Sequence, residues 1–69
     1  MRFVIVGYGR VGARTARVLQ EEEHELVVVD IDREKAERAR QAGFEVVEGD
    51  GEDESVLREA GIESADSIG

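Results

Sequence analysis

Short runs of consecutive apolar residues alternate along this chain with segments of helical periodicity. Residues 3–6 and 26–29 are rich in valine and are bounded by charged residues or glycine. Runs of this kind predict strands that are buried on both faces of a sheet. Residues 44–47 form a third and weaker run, which is interrupted by Glu45 and is followed by Gly49.

Helical patterns fill the intervals between these runs. Residues 10–22 predict a first helix, since apolar side chains recur there at helical spacing. Its stripe consists of Val11, Thr15, Val18 and Leu19. Asp32 is a favoured N-cap for a second helix, and Gly43 suits the position just after its end. A third helix is expected from near Asp53 to Gly61.

The regular strand–helix alternation predicts an α/β fold with a parallel sheet and right-handed crossovers. The expected architecture is the N-terminal half of a Rossmann-type sheet, with strand order 3-2-1 and helices on both faces. Residues 64–69 lead into a short fourth strand. The whole chain, residues 1–69, is therefore interpreted as one truncated nucleotide-binding domain.

Composition narrows the possible partners. The 69 residues include 17 acidic and 9 basic side chains, which give a net charge of −8. This charge disfavours binding to the phosphate backbone of a nucleic acid. The chain contains no cysteine, so disulfides and thiolate metal sites are excluded, and a cytoplasmic location is expected. No segment approaches the roughly 18 apolar residues of a membrane span.

The first predicted strand runs directly into a glycine motif. Its residues are Gly7, Tyr8, Gly9, Arg10, Val11 and Gly12, which match the pattern G-x-G-x-x-G. Between a strand and a helix, this pattern predicts a loop that binds the pyrophosphate of a dinucleotide. Gly7 permits the tight turn, Gly9 lets a phosphate approach the backbone, and Gly12 lets the helix pack closely on the sheet. The N–H groups at the helix start favour an anion.

An acidic residue follows at the distance that this motif requires. Asp30 ends the second predicted strand, 18 positions after Gly12. A carboxylate there accepts hydrogen bonds from ribose hydroxyls and repels a 2′-phosphate. The glycine motif and Asp30 together therefore predict binding of NAD, or another adenosine nucleotide, in preference to NADP. Ile31 is expected to form an apolar wall beside the adenine.

The residues after the third predicted strand should reach the same crevice, because the carboxyl ends of parallel strands share one edge. We therefore expect Asp50 and Gly51 near the adenine, although Asp50 also suits a turn residue. Arg10 has two interpretations as well, a contact to pyrophosphate or an ordinary exposed side chain. No residue is assigned a catalytic or metal-binding role.

Taken together, these motifs resemble the TrkA-N family, also called RCK or KTN domains. The resemblance rests on the glycine loop, residues 27–32, the Gly49-Asp50 pair, residues 57–62 and Ala65-Asp66. It implies a cytosolic regulator of potassium channels or transporters that senses NAD, NADH, ATP, ADP or AMP. It also implies assembly into homo-oligomers, contact with a membrane subunit, Asp30 on the ribose and Asp50 near the adenine. Gly51-Glu52 departs from the small residue and threonine often found there.

Two other functions remain compatible with the residues. The chain could form the cofactor-binding front half of an NAD-dependent oxidoreductase, whose reaction zone would lie in other sequence. It could also be a minimal scaffold that folds without binding a nucleotide. Whatever its function, the chain is expected to self-associate through the sheet edge, because its first predicted strand is incompletely covered.

Overall fold

The computed structural model describes residues 1–61 and 67–68 of the chain. Strands and helices alternate in the predicted order. They are β1 (Arg2–Val6), α1 (Arg10–Glu21), β2 (Glu25–Asp30), α2 (Arg33–Gln41), β3 (Glu45–Glu48), α3 (Glu54–Glu59) and β4 (Ser67–Ile68). In the described part of the chain, no helix has the length and apolar character needed to cross a membrane.

The strands form one parallel sheet in the order β3-β2-β1-β4. This arrangement confirms the predicted order 3-2-1 and the short fourth strand beside it. β4 pairs with Phe3 and Val4 of β1, and the rest of the predicted approach to this strand lies outside the described residues. Because β1, β2 and β3 are parallel, their carboxyl ends meet at one edge of the sheet.

Helices cover both faces of the sheet. On one face, the core valines of β1, β2 and β3 pack with Ala60 and are joined by the partly buried Val56 of α3. On the other face, Gly12 of α1 lies next to the side chain of Ile5. A right-handed crossover from β2 to β3 places α2 on the same face as α1. The α1 and α2 ends accordingly share a small cavity that includes Arg17 and Ala42.

The apolar stripe predicted for α1 is not the surface that packs on the sheet. Val11 is 79% exposed and Val18 is 49% exposed, whereas Ala16 is fully buried. Small residues let α1 lie close to the strands, and a Cβ on Gly12 would overlap the carbonyl oxygen of Gly7. Val11, Thr15 and Leu19 of this stripe instead border an open apolar groove of about 630 Å³ between β1 and α1. We call this the β1–α1 groove.

Candidate nucleotide-binding crevice

A second cavity, of about 280 Å³, opens at the carboxyl ends of the strands. Its lining comes from the ends of β1 and β2 and from the segment after β3. The lining residues are Val6, Gly7, Val29, Asp30, Ile31, Asp50, Gly51 and Glu52. The volume is near the lower end of ligand cavities, roughly 300 Å³, which suits part of a dinucleotide better than the whole.

Asp30 occupies the centre of this edge and is only 8% exposed. Its Oδ2 accepts a hydrogen bond from the backbone N–H of Tyr8 at 2.7 Å. Its Oδ1 accepts one from the backbone N–H of Asp32 at 2.8 Å. An ionised carboxylate has about four acceptor positions. Asp30 can therefore hold the backbone and still accept hydrogen bonds from ribose hydroxyls.

The glycine loop is fastened to the end of β2 by two hydrogen bonds. In addition to the Tyr8–Asp30 bond, the N–H of Gly7 donates to the carbonyl of Val29 at 2.7 Å. Gly7 has a φ of 97°, a conformation that residues with a side chain rarely adopt. The loop thus turns sharply out of β1 while its backbone remains attached to the neighbouring strand.

The start of α1 has no carboxylate of its own. Gly9 is the N-cap residue, no side chain caps the helix, and its first turn has no acidic residue. By contrast, α2 and α3 are capped by the side chains of Asp32 and Asp53. Uncapped N–H groups and the helix dipole both favour an anion. The start of α1 therefore fits a phosphate group.

Gly9 has the open surroundings that a phosphate path requires. A Cβ placed on Gly9 would meet no atom of the described residues within 4 Å. The chain itself therefore gives no steric reason for glycine at this position. A ligand that passes close to the backbone supplies one.

Asp50 serves the turn that follows β3. Its Oδ1 accepts from the N–H of Glu52 at 2.8 Å, and its carbonyl oxygen accepts from the N–H of Asp53 at 3.0 Å. Asp50 is also part of the crevice lining. Both expectations for this residue therefore fit the geometry. Gly51 packs so closely on Val6 that a Cβ would overlap that side chain.

The crevice brings together only part of the predicted site. Its lining includes Gly7, Asp30, Ile31, Asp50 and Gly51. The remaining loop residues Gly9, Arg10, Val11 and Gly12 line the β1–α1 groove, and Gly7 borders both cavities.

Tyr8 contributes its backbone N–H, while its ring makes an edge-on contact with that of Phe44, with the ring centroids 6.0 Å apart. Sequence reasoning missed Val6 and Glu52 as lining residues. The position of Val6 at the carboxyl end of β1 indicates its place in the lining, because the carboxyl ends of parallel strands border the crevice.

The chain is similar to potassium uptake proteins. The model of the TrkA-N domain family matches residues 3–69. A Trk system potassium uptake protein TrkA homolog from Pyrococcus abyssi is 38% identical over 69 residues, covering 99% of this chain. Ktr system potassium uptake protein C from Bacillus subtilis is 35% identical over 66 residues, covering 96% of this chain. In both cases the match spans 30% of the relative's length.

A solved structure shows the same fold. The TrkA-N domain of the inner membrane protein ybaL from Escherichia coli superposes with a TM-score of 0.90 at 30% identity. The match covers 97% of this chain and 50% of that chain. This chain therefore has the fold of about half of that domain structure and spans about 30% of the length of the two curated relatives described above.

Proposed function

The chain belongs to the TrkA-N domain family, and from this we propose that it binds the adenosine half of a nucleotide within a regulator of potassium transport. The nucleotide is NAD, NADH, ATP, ADP or AMP. In this proposal the chain acts by binding and not by catalysis. The names of its relatives, which are potassium uptake proteins, support this role.

One observation carries the proposal. The buried carboxylate of Asp30 lies in hydrogen-bonding contact with a glycine loop that ends at an uncapped helix start. This combination offers acceptors for ribose hydroxyls on one side and donors for phosphate on the other. Both requirements of an adenosine phosphate are therefore met at one edge of the sheet.

Charge in the crevice favours nucleotides without a 2′-phosphate. Three carboxylates, those of Asp30, Asp50 and Glu52, belong to lining residues, and none of the described lining residues is basic. An additional phosphate at the ribose would be repelled. The proposed site accordingly takes NAD or an adenosine nucleotide in preference to NADP.

In this proposal the bound nucleotide acts through assembly. The chain forms homo-oligomers and contacts the membrane subunit of a potassium channel or transporter from the cytoplasmic side. Binding of the nucleotide changes how neighbouring subunits pack, and this structural change is transmitted to the membrane subunit. The chain's own residues position the ligand, while the transport step belongs to the partner.

A calorimetric titration of this chain with AMP, NAD and NADP tests the proposal. Since the identified groups address phosphate, ribose and adenine, AMP should bind within about tenfold of NAD, a gap of ~1.4 kcal/mol. NADP should bind more weakly than NAD. If NAD bound a thousandfold tighter than AMP, the nicotinamide side would dominate and the proposal would be wrong. Absence of binding by all three would also contradict it.

A further inference from the structure

We propose that Asp30 is a positioning residue for the phosphate-binding loop, in addition to its proposed contact with ribose. This inference rests on the proposed nucleotide site and concerns how that site is held in shape. The carboxylate links the loop to the end of β2 before any ligand arrives. Its loss should therefore weaken binding of phosphate groups that Asp30 itself does not touch.

The contacts of Asp30 support this second role. Both of its oxygens accept backbone N–H groups, at 2.7 Å from Tyr8 and 2.8 Å from Asp32. The Tyr8 bond joins residues 22 positions apart in the chain. Asp30 is also the buried charged residue of the described core, at 8% exposure. Its carbonyl additionally accepts from the N–H of Gly49 at 2.9 Å, so the residue connects the ends of three strands.

We call the hydrogen bond from Tyr8 to Asp30 the loop anchor, and its removal has a direct local consequence. Gly9, the N-cap of α1, directly follows Tyr8, whose N–H is held by Asp30. Without that bond the backbone that presents the first N–H groups of α1 is held mainly by the Gly7–Val29 bond. Donors that point in varying directions bind an anion less well than donors already in place.

Electrostatics alone predicts the opposite sign. A negative carboxylate close to an anion site repels the anion, so neutralising it should strengthen phosphate binding. A positioning role predicts weaker phosphate binding despite the removed charge. Whether the affinity for phosphate falls or rises therefore distinguishes a positioning role from simple charge repulsion, whatever the size of the change.

Asp30→Asn is the informative substitution, because it preserves the shape of the side chain. The N–H groups of Tyr8 and Asp32 bond different oxygens of Asp30. An amide replaces one of these oxygens with an NH₂ donor, so it cannot keep both bonds in this geometry. Asp32→Asn is the matched control. It removes one negative charge two residues away, at an exposed N-cap where asparagine is an equally good capping residue.

The test measures the binding of inorganic pyrophosphate, adenosine and AMP to the wild type and to both variants. We expect Asp30→Asn to weaken pyrophosphate binding about tenfold and to reduce the ratio of AMP affinity to adenosine affinity. Asp32→Asn should leave pyrophosphate affinity unchanged or higher. Unchanged or stronger pyrophosphate binding by Asp30→Asn, with weaker adenosine binding, would overturn the positioning role and leave ribose contact alone.

Amide hydrogen exchange on the ligand-free wild type makes the test independent of variant folding. The Tyr8 N–H should be protected, and in Asp30→Asn it should exchange faster while the amides of β2 keep their protection. An unprotected Tyr8 amide in the wild type would overturn the inference directly. If the wild type binds none of the three ligands but its Tyr8 amide is protected, the proposed function fails and the loop anchor stands.

Discussion

Gly9 and Gly12 belong to one motif but have opposite surroundings. A Cβ on Gly9 would project into open space, whereas a Cβ on Gly12 would overlap the carbonyl oxygen of Gly7. Gly9 also has an extended backbone, with φ −80° and ψ −163°, which other residues adopt readily. Glycine at position 12 is therefore a requirement of folding, whereas for glycine at position 9 we propose ligand approach as the reason.

The substitution Gly9→Val should consequently abolish AMP binding while the fold is retained. Its side chain finds room in the ligand-free protein, but it would occupy the proposed phosphate path at the start of α1. We expect a loss of affinity of more than about a hundredfold, or ~2.7 kcal/mol. Calorimetry measures the affinity, and thermal unfolding checks the fold. Retained AMP binding would remove the glycine loop from the site.

Gly12→Ala, unlike Gly9→Val, should lower the stability of the fold. The added methyl group meets backbone rather than a flexible side chain, so α1 must move away from the sheet. Overpacking of this kind costs roughly 1–3 kcal/mol. Denaturant unfolding of wild type, Gly9→Val and Gly12→Ala measures the contrast. An equal loss of stability in both variants would contradict the assignment of separate roles.

The sequence predicted the role of a single residue only where a short motif around that residue determines the role. The glycine spacing predicted the close packing at Gly12, which the structure shows. The bond from Tyr8 to Asp30 depends on how β1 and β2 are paired, and the Tyr8–Phe44 ring contact depends on the course of the chain after α2. Neither follows from spacing along the sequence, because both join residues brought together by tertiary structure.

At the scale of single elements, α3 depends strongly on its cap. This helix spans only Glu54–Glu59, so it has few internal hydrogen bonds. The carboxylate of Asp53 accepts from the hydroxyl of Ser55 at 2.7 Å and from its backbone N–H at 2.8 Å. The hydroxyl bond, followed by the backbone bond, lowers the pKa of Asp53 below its ordinary value.

The cap should therefore weaken on acidification. Because the folded pKa of Asp53 is lowered, its stabilising contribution is present above the unfolded value of about 3.9 and is lost as the pH falls through the folded value. Asp53→Ala can neither cap the helix nor titrate and is the control. The difference in melting temperature between wild type and Asp53→Ala should shrink below about pH 4. A difference that stayed constant from pH 6 to pH 2 would contradict this role.

The sequence predicted the kinds and order of elements better than their surfaces. Valine runs and capping residues indicated each strand and helix, and these are present in the predicted order. However, Phe44 lies outside β3, which spans Glu45–Glu48. The apolar stripe of α1 has the periodicity of a core surface, but its members Val11, Thr15 and Leu19 border an open groove. Periodicity identifies an apolar face, whereas the covering partner is determined by elements distant in sequence.

At the scale of the whole molecule, one parallel sheet accounts for the crevice and for the exposed apolar surface. Parallel strands place the ends of β1, β2 and β3 together, which forms the crevice. On the other side of β1, β4 pairs with Phe3 and Val4, while Val6 is 42% exposed. The β1–α1 groove continues along this side and is mainly apolar, with Phe3, Ile5 and Leu19 in its lining.

The described pairing of β1 with β4 extends only over Phe3 and Val4. An apolar groove beside such a strand predicts self-association, since burial of apolar surface is favourable. The net charge of −8 opposes it. Repulsion between two such chains is screened within a Debye length of about 10 Å at 0.1 M salt and about 3 Å at 1 M. Association of this chain should therefore strengthen as the ionic strength rises.

Two variants of equal charge test whether the β1–α1 groove is the surface involved. Val11→Glu places a carboxylate in the groove lining, on a side chain that is 79% exposed. Gln41→Glu adds the same charge at the exposed end of α2, away from the groove. In sedimentation at about 0.05 to 1 M salt, wild type and Gln41→Glu should associate increasingly, while Val11→Glu should remain monomeric. A folded wild-type monomer at every salt concentration would mean that the short fourth strand closes the edge sufficiently, and equal association of both variants would place the contact elsewhere.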